Sequence, residues 1–412
     1  MDRKLRIAVD CRIENPQQGV GTAVLALAKA FSDSKVTDQE YTFIVREDLQ
    51  SWLAPYVYGP CKLVGIPASR FSTMKTSFRW IAPLRFIWSK LRGEMARIPV
   101  SDGYVESQQF DVVHFPTQQA YLTKLPSIYQ PWDLQHLHYP HFFSKTEFSL
   151  REKYYPAFCA QASYVCVQAE WTRQDVIRHY GLPTGKVVAV PWGSVFDAYT
   201  APSPRGVLAT AKKYRLPDRF FFYPAVTWPH KNHEAILRAL HVLKTDHGIT
   251  THVYFTGSST EHRTTLDKLA QDLGIFEQMH FLGFLPPEEL QAIFSAATAM
   301  VFASKFEGFG LPILEAFHAR LPVLSSNATT LPEVAGDAAL YFDPDSPSEL
   351  AALMKAILET PELRQDLIKK GILVLSQHSI SDTAAGFQAL YKRTAVLSPP
   401  QEDSLSPAGA TI

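Results

Sequence analysis

Cysteine is scarce in this sequence: among 412 residues there are four, Cys11, Cys61, Cys159 and Cys166. None stands in a Cys-x-x-Cys pair or beside paired histidines, so neither a disulfide framework nor a structural zinc site is expected, and all four read as reduced thiols. An excess of charge of one sign is also missing. Lysine plus arginine and aspartate plus glutamate each number 40, so no global field directs the protein to nucleic acid, and any basic site must be local. No apolar run reaches the roughly 18 residues that a transmembrane helix needs. Met1 to Lys4 passes directly into Leu5 to Asp10 without the apolar stretch of a signal peptide, so a cytoplasmic location is expected, with peripheral contact at the inner face of a membrane left open. No motif calls for a cofactor or a metal.

What is present suits an ordinary soluble fold, with 46% hydrophobic and 19% charged residues. A chain of this length exceeds what one core usually organises, so two domains are expected. In the first half, short apolar runs at Ile7 to Asp10, Thr42 to Val45, Asp111 to Phe115, Tyr164 to Gln168 and Val187 to Val190 alternate with helical patterns such as Val24 to Phe31. That alternation is the pattern of βαβ units and a parallel sheet. Turn formers in Ala201 to Gly206 mark a boundary, after which a second alternating series begins at Phe220 and ends near Tyr341. The expected division is 1–195 and 196–380 for two doubly wound domains, 381–396 for a helix returning to the first domain, and 397–412 for a loose tail.

The most informative stretch is Phe302-Ala303-Ser304-Lys305-Phe306-Glu307-Gly308-Phe309-Gly310-Leu311-Pro312-Ile313-Leu314-Glu315. An apolar strand delivers the chain to a loop holding Glu307 and two glycines, and Pro312 sits where proline is welcome, in a first helical turn. Bare amides at this helix start, with Gly308 and Gly310, can approach a diphosphate closely. Both carboxylates are expected on the solvent-facing edge of a crevice at the carboxyl ends of the strands. A structural role stands beside this one, because acidic residues stabilise helix N-termini in any case.

This string resembles the retaining glycosyltransferases of family four, whose signature is two glutamates separated by seven residues in a Glu-Gly-Phe-Gly-Leu context. The resemblance continues through Leu321-Pro322-Val323, Asn327 and Leu331 to Val334 as far as Asp337-Ala338-Ala339. It implies a GT-B architecture, two Rossmann-like domains facing a cleft, with Glu307 contacting the donor sugar and Glu315 the ribose. Gly308, Phe309, Gly310 and Leu311 are implied in donor binding. It also implies a front-face mechanism in which the leaving phosphate helps to take the acceptor proton, with no metal and no conventional carboxylate base.

A second constellation, Thr227-Trp228-Pro229-His230-Lys231-Asn232-His233, ends another strand. A cation held there can stabilise the negative charge that appears on a departing phosphate, although a solvated lysine is the ordinary alternative. In the family this loop carries an arginine and lysine pair, and Lys231 falls on the lysine. The upstream arginine is missing, so a single cation is expected, assisted by Thr227 or His230, with Asn232 beside it as a donor contact. Gly19 and Gly21 follow the first strand and open a helix, and they resemble the family's loop facing the donor phosphates; alone, a plain tight turn accounts for them better. Val24 stands where a third glycine would complete a dinucleotide fingerprint.

Pro131 to His141 packs three histidines into a short segment, without the helical spacing of a metal site. Related transferases carry His-Asp-Leu where this chain has Trp132-Asp133-Leu134, so the sugar contact passes to His136, or Asp133 carries an acceptor contact. Ser258 and Phe284 follow two further strands at the same sheet edge and are expected to line the base and ribose pocket, with a buried core position the alternative for Phe284. Lys75, Arg79, Arg85, Lys90, Arg92 and Arg97 are interleaved with aromatic and aliphatic residues across 75–97. Such a stretch suits an anionic membrane where a lipid-linked glycan acceptor waits, or an excursion packed on its own domain.

The expected partners are therefore a nucleotide-sugar donor and a glycan or lipid-linked glycan acceptor, without nucleic acid. GDP-mannose is the favoured donor, because the Thr227 to His233 run is similar to that of mannosyltransferases of bacterial surface polysaccharides. The alternatives are an NAD-dependent oxidoreductase, a noncatalytic nucleotide-sugar-binding protein and, within the fold, a nucleotide-sugar epimerase.

Overall fold

The computed structural model describes residues 3–13, 19–67 and 97–397. Its frame is two parallel sheets. The first has seven strands: β1 (Leu5–Asp10), β2 (Gln39–Arg46), β3 (Cys61–Ile66), β4 (Val112–Phe115), β5 (Ser127–Tyr129), β6 (Tyr164–Val167) and β7 (Val187–Ala189), ordered β3-β2-β1-β4-β5-β6-β7. The second has six: β8 (Phe220–Pro224), β9 (His252–Thr256), β10 (Met279–Phe281), β11 (Ala299–Phe302), β12 (Val323–Ser326) and β13 (Ala339–Phe342), ordered β10-β9-β8-β11-β12-β13. Helices cover both faces of such sheets, which is why the central strands read as unbroken apolar runs. Phe220, Phe221, Phe222 and Tyr223 of β8 are all fully buried.

In each sheet the strand order reverses once, between β1 and β4 in the first and between β8 and β11 in the second. A crevice opens outside the carboxyl ends of the strands at such a reversal, and ligands of open α/β sheets bind there. The loops that follow β8 and β11 carry Lys231 and Glu307.

Sequence reasoning passed over β3 and β5. The first carries Gly65 within a short run, and the second is three residues between Pro126 and Pro131. Both take their place from neighbours: β3 pairs with β2 from Cys61 to Ile66, and β5 sits between β4 and β6.

The final helix, Ile380–Ala395, leaves the second sheet and lies on the first. Tyr391 Oη is 2.8 Å from His114 Nδ1, and Gln388 Nε2 donates to Ser34 Oγ at 2.9 Å. Gly193 N donates to Thr383 Oγ1, and a Cβ on Gly193 would collide with the backbone of Ser379 and Ile380. Of the basic aromatic stretch 75–97, only Arg97 lies within the described residues, and 398–412 lie outside them. Among the described residues no helix is long and apolar enough to cross a membrane.

Candidate active site

The loops after β8 and β11 are wired together before any side chain reaches the cleft. Tyr223 donates its hydroxyl proton to the carbonyl of Lys231 at 2.9 Å, and Ser304 Oγ, also 2.9 Å away, donates to Tyr223. Lys305 N donates to the carbonyl of His230 at 2.8 Å, and Ser326 Oγ donates to the carbonyl of Ser304 at 2.6 Å. Buried polar groups are stable only when bonded in this way, and these bonds tie the two loops together. The result is a short ion pair, Lys231 Nζ to Glu307 Oε1 at 2.6 Å, with the side chains 20% and 14% exposed.

Two polar residues of the first loop are occupied in shaping it. Thr227 Oγ1 accepts from Thr260 N at 2.7 Å, while Thr260 Oγ1 donates to the carbonyl of Thr227 at 2.6 Å. Asn232 adopts φ of +56°, a conformation asparagine tolerates, and its Nδ2 donates to the carbonyl of Pro344 at 2.8 Å. Thr227 and Asn232 therefore hold the loop instead of presenting free groups to a donor. His230 is kept neutral: burial first, and then the Lys231 charge, push its imidazole down to about 2. It supplies no second cation.

The Glu307 loop meets the first domain directly. A Cβ on Gly308 would collide with the carbonyl of Trp132 and lie 3.1 Å from Asp133 Cβ. Thr172 Oγ1 donates to the carbonyl of Gly308 at 3.0 Å. Phe306 is wedged among His138, Trp171 and Tyr139, with ring centroids 5.0, 5.6 and 6.1 Å away. The Glu333 carboxylate accepts from Glu170 N and Trp171 N at 2.6 and 2.9 Å. It thereby caps the helix Glu170–Tyr180 of the opposite domain, filling donors that a helix start leaves open.

Asp133 thus faces the Glu307 loop across the cleft. Its carboxyl is held above the usual range by burial, with the Glu307 charge adding to this, while Arg151, Gln135 N and Lys231 oppose the rise. Arg151, on the helix Lys145–Gln161, brings Nη1 to 4.0 Å from Asp133 Oδ1. Nothing in the sequence around Arg151 marks it, since it reads as one charge on a helix face; only the tertiary fold brings it to the cleft.

Beyond Gly308, Gly310 takes φ of +108° and starts the helix Leu311–His318, with no side-chain cap on the first amides. A Cβ on Gly310 would also meet Leu331 Cδ2 at 2.7 Å. Leu311 and Glu315 share a face, one turn apart. Glu315 keeps intermediate exposure on this helix, and burial of its carboxyl drives the carboxyl up to about 8. Glu307 is largely covered, because Lys231 and the opposite domain close over it.

Two further expectations, for His136 and Phe309, need correcting. His136 does not reach the cleft; it is fully buried against Phe143, Phe148 and Tyr155, with neither ring nitrogen hydrogen-bonded among the described residues. Burial, followed by the Arg151 charge, pushes it down to about 4. The cause is local, because Gln135–His138 forms one helical turn that aims His136 inward. Phe309 is buried in the hydrophobic core, leaving only its backbone at the site. Gly19 and Gly21 open the helix Gly19–Ser32, as the sequence led one to expect. Phe284 is not a core residue, since it is 52% exposed; Ser258 is also exposed, at the same sheet edge.

His138, Asp175 and His179 bring their ligand-type atoms within 4.8 Å of one another. His138 Nε2 is already 2.9 and 3.0 Å from the two oxygens of Asp175, so imidazole donors satisfy this buried carboxylate.

Residues 210–374 match the family model described as "Glycosyl transferases group 1". "O-antigen chain mannosyltransferase B" of Escherichia coli is 28% identical over 241 residues, 58% of this chain and 63% of that protein. "Serotype-specific mannosyltransferase WbdA" of Escherichia coli is 30% identical over 216 residues, 51% of this chain but only 26% of that protein. The matched part thus spans less than two thirds of either relative. Among solved structures, Anabaena Alr3699/HepE in complex with UDP-glucose is 15% identical, with a TM-score of 0.70 over 94% of this chain and 100% of that one. WaaG, a glycosyltransferase involved in lipopolysaccharide biosynthesis, is 15% identical, with a TM-score of 0.64 over 93% of this chain and 99% of that one. Residues 210–374 are thus similar to the glycosyl transferases of group 1, and the two sheets make the GT-B fold.

Proposed function

We propose that this protein transfers a hexose, with retention of configuration and without a metal, from a nucleoside diphosphate sugar to an acceptor hydroxyl. The observation that carries this reading is the Lys231–Glu307 pair at the strand-order reversal, 2.6 Å long and covered by both domains. In the absence of donor each group neutralises the other. When a donor enters, the Lys231 ammonium exchanges the carboxylate for a phosphate oxygen, and Glu307 is released to accept hydrogen bonds from sugar hydroxyls.

The chemistry follows from where charge appears. The bond from the anomeric carbon to the diphosphate oxygen breaks and its electron pair goes to that oxygen. The acceptor oxygen bonds the same carbon from the same face, and the acceptor proton passes to the departing phosphate. A preorganised cation in a covered site is worth most as this charge develops. Lys231 supplies that cation, which is why no metal is called for. The bare amides at Leu311 and beyond lie along the same path, and Glu315 faces the ribose. Asp133, on the opposite wall, orients the acceptor hydroxyl.

Mannose from GDP-mannose is the favoured donor, supported by the two mannosyltransferase relatives and by the Thr227 to His233 run. A glycan or lipid-linked glycan of surface polysaccharide or glycolipid synthesis is the favoured acceptor, with 75–97 as the membrane-contact segment. The test is to incubate the protein with GDP-mannose, UDP-glucose and NAD in turn, with a lipid-linked oligosaccharide as acceptor, and to follow nucleoside diphosphate release and product configuration. Release from a sugar nucleotide with an α-configured product from an α-configured donor supports the reading. Binding of NAD alone overturns it.

A further inference from the structure

The helix Lys145–Gln161 starts from a capping box: Ser144 Oγ accepts from Glu147 N, and the Glu147 carboxylate accepts from Ser144 N. That fixes the first turns of the helix, and Arg151 lies in the second. Its guanidinium is laid across two aromatic rings, 4.6 Å from the centroid of Phe143 and 5.5 Å from that of Tyr155. The stacking orients a planar cation without using any of its N–H donors.

Those donors are unfilled. The nearest carboxylate oxygen, Asp133 Oδ1, is 4.0 Å from Nη1, beyond hydrogen-bond length. Among the described residues no acceptor is hydrogen-bonded to the Arg151 guanidinium, although its side chain is only 26% exposed. A largely covered cation whose donors meet no hydrogen-bonded acceptor among the described residues is poised for a ligand with several acceptor oxygens. Its position is the cleft: Asp133, its neighbour, lies against Gly308, and its charge bears on His230 of the other domain. The planar fork matches phosphate oxygens, which it binds in pairs.

We infer that Arg151 is an oxyanion-binding residue of the cleft, contributed by the first domain, which takes phosphate oxygens of a bound substrate opposite Lys231. The phosphate belongs either to the donor diphosphate or to a phosphorylated acceptor. Naming it a substrate's phosphate rests on the transferase reading; the binding itself does not.

The experiment is equilibrium titration of the full chain with GDP and UDP, and separately with inorganic phosphate and mannose 1-phosphate. It compares the wild type with Arg151→Met, Arg151→Lys and Lys231→Ala. Arg151→Met keeps the stem that packs on Phe143 and Tyr155 and removes the donors. It is expected to lose about tenfold or more in affinity for at least one ligand class, and Arg151→Lys to recover part of the loss. A loss for nucleoside diphosphates, shared with Lys231→Ala, assigns Arg151 to the donor. A loss confined to phosphate and mannose 1-phosphate assigns it to the acceptor. Folded Arg151→Met that binds both classes as the wild type does overturns the inference. If Arg151→Met fails to fold, Arg151→Lys decides, and unchanged affinities overturn it. Wild type that binds phosphate through Arg151 but no nucleoside diphosphate contradicts the transferase reading and leaves this inference standing; binding of neither class overturns both.

Discussion

Lys231 Nζ and Glu307 Oε1 lie 2.6 Å apart, so the cation and the carboxylate assigned to donor binding neutralise each other in the ligand-free protein. A nucleoside diphosphate without its sugar must displace Glu307 from Lys231 and gains nothing from Glu307 in return. Glu307→Gln is therefore expected to bind GDP or UDP at least as tightly as the wild type, while its turnover with the intact donor falls about a hundredfold or more. Calorimetry and turnover on the same preparations check this. A parallel loss of both would give Glu307 a structural role.

On the proposed reading, Glu315 gives donor binding a pH dependence. Burial holds its carboxyl up to about 8, from an ordinary value of 4.5. If Glu315 contacts the ribose as proposed, the hydroxyls favour its ionised form and binding releases a proton, so donor affinity is expected to rise with pH up to about 8 and then level off. The folding linkage has the opposite sense. Between 4.5 and about 8 the folded chain holds a proton that the unfolded chain has lost, so this group's contribution to stability falls as pH rises through that window. Glu315→Gln is expected to remove both dependences, as read from donor affinity and thermal midpoint between pH 5 and 9.

Gly308 sets how closely the domains approach, because a Cβ there meets the carbonyl of Trp132. Gly308→Ala is expected to leave the fold of each domain intact and to lower turnover at saturating donor by about tenfold or more, since small misplacements in a reacting site carry large costs. Circular dichroism and turnover distinguish this from simple unfolding, in which both would fail together.

Much of this was legible in the sequence. The strands β8 to β13 announce themselves as apolar runs, and Glu307, Gly308, Gly310 and Lys231 stand at the ends of such runs, where the topology opens a crevice. The raised carboxyl of Glu315 was not legible, because helical spacing gives a face but not its surroundings. His136 was misplaced for a related reason: one short turn decides whether a side chain points to a cleft or a core. Arg151 and Glu333 escaped because their partners lie on other elements, Asp133 for the first and the start of Glu170–Tyr180 for the second.

Metal-free transfer has its own check. The described trio of metal-type ligands, His138, Asp175 and His179, is satisfied internally. Turnover is therefore expected to be unchanged within about twofold in excess chelator, because Lys231 supplies the charge. Loss of activity restored by magnesium or manganese would place a metal in the mechanism.

The most direct measurement is the turnover number and donor affinity of Lys231→Ala, with Lys231→Arg beside it. On the proposed mechanism one ammonium answers the charge on the departing diphosphate, a demand greatest in the transition state. Lys231→Ala is expected to lose about 2.7 to 4 kcal/mol of transition-state stabilisation, roughly a hundredfold to a thousandfold in turnover, with a smaller loss of donor affinity. Lys231→Arg is expected to recover only part, since the planar guanidinium differs in reach and geometry from the compact ammonium. Wild-type turnover in Lys231→Ala at saturating donor would contradict the account.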